Sequence, residues 1–139
     1  MKIYLAGPYA TNADVKQKAS ELRELGHKVV STWHEHGRPE AKTAVEMRNA
    51  AYIDLDDLQS ADAILCFTQP SNASPFSSGG RHVEFGVALG VNQTRLHRPD
   101  KDLIKLLVVG PTENVYYSLH GVHHFRDWEH AKAELKEMA

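Results

Sequence analysis

Cysteine is nearly missing from this chain: Cys66 is alone among 139 residues. No internal disulfide can form, and its place in the apolar run Ala63-Ile64-Leu65-Cys66-Phe67 reads as a buried thiol in a reducing cytoplasm. An excess of either charge is missing too. Lys and Arg number 16 against 18 Asp and Glu, a net charge of −2. That excludes a basic field suited to a nucleic-acid polymer, while a small anionic ligand stays compatible. Long hydrophobic runs are lacking. The chain opens into Lys2-Ile3-Tyr4-Leu5-Ala6-Gly7-Pro8, too short an apolar stretch for a signal peptide or a membrane span, so the expectation is a soluble cytoplasmic protein without a membrane partner. Gly7-Pro8-Tyr9 is no dinucleotide fingerprint and no Walker lysine occurs, so no cofactor is expected. His120, His123 and His124, with His82 outlying, lack the accompanying Cys or carboxylate spacing of a metal site. Nine histidines over the chain make such a group easy to meet by chance, and no metal is expected. Repeats, low-complexity tracts and dividing linkers are absent as well, which predicts a single domain over 1–139 that buries roughly two thirds of its unfolded surface.

What is present alternates between two periodicities. Ile3-Tyr4-Leu5-Ala6, stopped by Gly7-Pro8, predicts a central buried first strand. Val15, Ala19, Leu22 and Leu25 recur at helical spacing after Asp14, a candidate cap, and Gly26 ends that helix. Residues 28–33 predict a second strand, and His34 to Lys42 a polar loop over the sheet. Val45, Ala51, Tyr52, Leu55 and Leu58 outline a second helix over 44–59, leading to the third strand at 63–67. Asp54 lies at the margin of that helix's apolar stripe, where an acid can look into a cleft; Asp56 and Asp57 are expected to be solvated. A third helix carries Glu84 and runs to about Gly90, followed by a polar linker from Asn92 to Asp102. A fourth strand spans 103–109, a short fifth lies near 123–125, and a closing helix starts from Asp127 with Trp128, Ala131 and Leu135 on one face. Trp33 and Trp128 are expected as core or interface aromatics. The pattern predicts an α/β fold: a flavodoxin-like, doubly wound parallel sheet of four to five strands in three α/β/α layers, first strand central.

In that order the first and third strands are neighbours whose following loops diverge, so a cleft is expected between Gly7-Pro8-Tyr9 and residues 68–80. The stretch Ser77-Ser78-Gly79-Gly80-Arg81-His82-Val83-Glu84-Phe85-Gly86 feeds this cleft from a small-residue loop into a helix, where free backbone N–H groups meet a ligand. Glu84, between Val83 and Phe85, is a carboxylate beside apolar neighbours and the leading catalytic candidate. The plainer alternative is a first-turn acid complementing the helix dipole. Likewise Ser77 and Ser78 are either ligand contacts or helix caps.

Three segments together resemble the nucleoside 2-deoxyribosyltransferase-like superfamily, including its 2′-deoxynucleoside 5′-phosphate N-hydrolases: residues 2–8, Asp54-Leu55 through Leu58-Gln59-Ser60-Ala61-Asp62, and residues 80–86. Val108-Val109-Gly110-Pro111 followed by Glu113-Asn114-Val115 is similar to the C-terminal part of bacterial and phage members. The resemblance implies cleavage of the N-glycosidic bond of a deoxynucleoside or its monophosphate. It matches Glu84 to the nucleophile that forms a covalent sugar ester, Asp54 to an aspartate near the base and the anomeric carbon, and Tyr9 to a site aromatic. Ser78 resembles a serine that contacts a 5′-phosphate, and the loop before it is longer here by several residues. Gly7, Gly79, Gly80 and Arg81 would complete the substrate contacts, the last three suiting a phosphate. A homodimer or higher homo-oligomer with shared sites is implied, with Asn114 reaching into the neighbouring subunit; its alternative is a turn asparagine. The chemistry itself asks for two acids, one at C1′ and one assisting the leaving base. A non-catalytic nucleotide-binding sensor of the same fold is the alternative function.

Overall fold

The computed structural model describes residues 1–35, 43–68 and 79–139. Five strands, β1 (Lys2–Ala6), β2 (Lys28–Val29), β3 (Ala63–Phe67), β4 (Lys105–Val109) and β5 (Val122–Phe125), form one sheet. Its order is β2-β1-β3-β4-β5 and every pairing is parallel. The helices between them are α1 (Asn12–Glu24), α2 (Ala44–Gln59), α3 (Gly80–Arg95) and α4 (Trp128–Glu137). This is the three-layer, flavodoxin-like arrangement expected from the alternating pattern, with β1 and β3 side by side.

Successive residues of a strand point to opposite faces, and the two halves of the core divide accordingly. Ile3, Leu5 and Leu65 pack with Val15 and Leu22 of α1 and Leu135 of α4. Tyr4, Ala6, Ile64 and Cys66 pack with Leu58 of α2 and Phe85 and Ala88 of α3. Burial pushes the Cys66 thiol up to about 12, so it is an inert core group beside the Tyr117 hydroxyl, 3.2 Å away. The apolar positions of α4 fall as expected, and Asp127 caps that helix by accepting from the His130 N–H.

Several boundaries differ from the sequence reading. Asp14 lies inside the first turn of α1, whose cap position is Thr11. Helix α3 continues past Gly90 to Arg95, and the predicted linker is partly helix. Asn92 there ties the helix to β4 by hydrogen bonds with both the N–H and the carbonyl of Ile104. Strand β2 stops at Val29, because side chains take over the edge of β1. The Val30 N–H donates to the Ile3 carbonyl, the Leu5 N–H to Ser31 Oγ at 3.0 Å, and Trp33 Nε1 to the Leu5 carbonyl at 2.6 Å. Trp33 therefore stands in a 3-10 turn, Trp33–Glu35, with its indole fixed at the sheet's upper end. Ser31 Oγ lies 3.2 Å from His34 Nε2, and both residues are buried, at 1% and 2% exposed, so this pair is closed to substrate and serves as structural support. The exposed Glu35 carboxylate beside them pairs with Lys16 and Arg23. No helix among the described residues is long and apolar enough to cross a membrane.

Candidate active site

The pleat of β1 sends Tyr4 toward the α2/α3 side, where its ring is fully buried. Across from it, α3 begins at Gly80 after Gly79, whose φ of 72° is the left-handed conformation that glycine adopts without strain. Glu84 is then the fifth residue of the helix. No acid occupies the first turn, so the dipole-complement reading of Glu84 falls away. Instead Glu84 faces the sheet, half-buried, and the Tyr4 hydroxyl donates to its Oε1 at 2.8 Å.

Burial pushes the Glu84 carboxyl up to about 8. The Tyr4 hydrogen bond acts against this shift and the negative charge of Asp54 adds to it. Tyr4 is itself pushed up, first by burial and then by the charges of Glu84 and Asp54. It is therefore a committed donor rather than a base. Asp54 reaches the same space from α2, half-buried. That helix is capped by Thr43, whose Oγ1 accepts from the Glu46 N–H and donates to Glu46 Oε1, both at 3.2 Å.

The apolar stripe expected on α2 is only partly a core stripe. Leu58 is buried, but Val45 and Tyr52 are 58% and 62% exposed. Neither lines the cavity of about 630 Å³ that other residues in the N-terminal half of α2 border. Met47, Ala50, Ala51, Ile53 and Asp54 form one wall, and Gly7, Pro8 and Tyr9 at the end of β1 form another. Trp33, 6.0 Å from the Tyr9 ring, and Gly79, Gly80, Arg81 and Glu84 complete it. Asp57, expected to be solvated, is half-buried and accepts from the Thr32 hydroxyl at 3.2 Å.

Seven of the residues singled out from the sequence, Gly7, Tyr9, Asp54, Gly79, Gly80, Arg81 and Glu84, thus line one cavity. Ser78, with Ser77, lies outside the described residues. Asn114 lies apart: it lines a second cavity with His82, Phe85 and Tyr116, its Oδ1 accepting from the Tyr116 N–H and its Nδ2 lying 3.1 Å from His82 Nδ1. Both its expected turn role and a surface available to a neighbour are compatible with that place. Arg81 is 5% exposed, and its Nε and Nη2 donate to the two carboxylate oxygens of Glu113 at 2.8 and 3.0 Å. The histidines disperse: His123 and His130 both meet Glu134, and His124 Nε2 lies 2.6 Å from the Tyr117 carbonyl oxygen. Among the described residues no group of three or more His, Cys, Asp or Glu is placed to hold a metal ion.

The sequence reading missed Tyr4 and Glu113. The strand pattern did place Tyr4 on the face opposite Ile3 and Leu5, which is the available signal; Glu113 had none, since its partner lies 32 residues away.

The raised carboxyl of Glu84 fixes the sign of a pH effect on stability. Between 4.5, the ordinary glutamate value, and about 8 the folded protein holds a proton that the unfolded chain lacks. The contribution is whole below 4.5 and is lost as pH rises to about 8. Glu84→Gln keeps an oxygen for Tyr4 and carries no charge. It is expected to unfold at higher urea than the parent at pH 9, by of the order of 2 kcal/mol, with little difference at pH 5. Equal stabilities at both pH values would contradict the buried-carboxyl account.

No protein-family model and no curated protein matches this chain. Among solved structures, it is similar to the 2-deoxyribosyltransferase of the psychrotolerant bacterium Bacillus psychrosaccharolyticus, with a TM-score of 0.63 and 21% identity over 95% of this chain and 90% of that one. It is also similar to the CMP N-glycosidase BcmB of Clostridium botulinum, with a TM-score of 0.55 and 16% identity over 99% of both chains. At these identities what is shared is the fold.

Proposed function

We propose that this protein cleaves the N-glycosidic bond of a 2′-deoxynucleoside or its 5′-monophosphate, passing the sugar to water or to a second base. The observation that carries this reading is the half-buried Glu84 carboxylate, held by the Tyr4 hydroxyl in one cavity with Asp54. By their names, one of the structural neighbours above is a deoxyribosyltransferase and the other an N-glycosidase of CMP, a ribonucleotide.

In this reading Glu84 attacks the anomeric carbon as the carbon–nitrogen bond breaks. The bond's electron pair leaves with the base nitrogen, which takes a proton from Asp54. The positive charge developing on the sugar favours an ionised group beside it, and the Tyr4 hydrogen bond favours the charged form of Glu84. The two acids act as a coupled pair that must share one proton, productive when it rests on Asp54. Water then attacks the sugar ester, returns its proton to Asp54 and frees Glu84. A second base in place of water gives exchange. Tyr9 and Trp33 supply aromatic wall for the base.

Incubation with deoxynucleosides and deoxynucleoside monophosphates, with and without an acceptor base, tests this reading directly. Free base, or exchanged nucleoside when acceptor is present, is expected, together with a sugar adduct on the Glu84 peptide by mass spectrometry. Asp54→Asn is expected to slow turnover about 10²- to 10⁴-fold, and Glu84→Ala to abolish it. Undiminished turnover in Glu84→Ala removes the mechanism; binding without either product favours a nucleotide sensor.

A homodimer with shared sites belongs to the same proposal. Val45 and Tyr52 on α2, Val83 on α3, and Val115 and Tyr116 beside Asn114 are large apolar side chains left exposed. Sedimentation at micromolar concentration is expected to give at least twice the 15.5 kDa chain mass; a monomer would contradict the shared site.

A further inference from the structure

We propose that Glu113 sets substrate charge selectivity: by holding the Arg81 guanidinium it leaves the cavity suited to an uncharged nucleoside and poorly suited to the 5′-monophosphate. The inference rests on the reading of the cavity as a nucleoside-cleaving site and narrows its substrate.

Arg81 is the one lysine or arginine among the described residues that line the cavity. It is the group a phosphate would be expected to seek. Its Nε and Nη2, however, are directed at both oxygens of Glu113, whose side chain is 13% exposed. This fork-on-fork geometry neutralises the cation and fixes its direction. Drawing Arg81 onto a phosphate would take from a largely buried carboxylate its two-pronged partner, with His82 Nε2 at 3.9 Å a weaker substitute, which is unfavourable.

Among the described residues the other titratable side chains in the cavity are all acids, and although Glu84 holds a proton near neutral pH, none of them can offer a positive charge. Glu46, Asp54 and Glu84 are all lining residues, and Pro8, Met47 and Ile53 add apolar wall. A phosphate monoester brings nearly two further negative charges at pH 7. The N-terminus of α3 at Gly79 and Gly80 offers about half a positive charge, too little to balance them. An uncharged sugar with a 5′-hydroxyl meets none of these costs and finds hydrogen-bonding carboxylates.

The test compares each deoxynucleoside with its own 5′-monophosphate. Free-base release is followed on the wild type, and binding by calorimetry on Glu84→Gln. The wild type is expected to favour the nucleoside in kcat/KM by about tenfold or more, as like-charge contacts in partly dry sites do. Glu113→Gln removes the carboxylate facing Arg81, and is expected to lower KM for the monophosphate relative to the nucleoside. Glu113→Asp keeps the charge and the preference. A merely structural role for Glu113 would depress both substrates alike and leave their ratio unmoved, which overturns the proposal. So does a wild type that prefers the monophosphate in turnover or in binding. Tighter nucleoside binding without base release supports the charge selectivity while removing the cleavage reading; absence of binding by either ligand removes both.

Discussion

One hydrogen bond, from the Tyr4 hydroxyl to Glu84, joins the centre of the sheet to the helix that follows its neighbouring strand. It exists because β1 and β3 are adjacent and parallel, so the chain leaving β3 returns through α3 across the face to which Tyr4 points. A carboxylate in that place loses much of its water and gains a single donor. The cost of burying charge then becomes a poised proton, high enough in pKa to be held at neutral pH and raised further by the charge of Asp54. The cavity follows from the same arrangement, since α2 meets the core at Leu58 and spans open space toward its N-terminus.

The fold was legible because its signals are local. Short apolar runs marked the three buried strands β1, β3 and β4, and helical spacing marked the helices between them. What failed were boundaries decided by tertiary contacts. Strand β2 is shorter than its apolar content implies because Ser31 and Trp33 satisfy Leu5 with side chains in place of a backbone ladder. Helix α3 outlasts Gly90 because Asn92 finds the backbone of Ile104.

The site was legible to a lesser degree. Glu84 and Asp54 stood out as acids beside apolar neighbours, and the topology said where they would meet. Val45 and Tyr52 read as part of an apolar stripe because helical spacing alone does not say which apolar positions of α2 meet the sheet and which stay exposed. Arg81 read as a cation suited to a phosphate because nothing near it in sequence announces Glu113. A pair formed across 32 residues becomes visible only once the loop after β4 is folded back onto α3.

The account depends on the protonation of one carboxyl, and that can be observed. The side-chain carbonyl ¹³C shift of Glu84 in glutamate-labelled protein, assigned by its disappearance in Glu84→Gln, can be followed against pH. A midpoint near 8 is predicted, moving upward in Tyr4→Phe as the bond favouring the charged form is lost. A midpoint in the ordinary glutamate range near 4.5, unmoved by the loss of the Tyr4 hydroxyl, would contradict it.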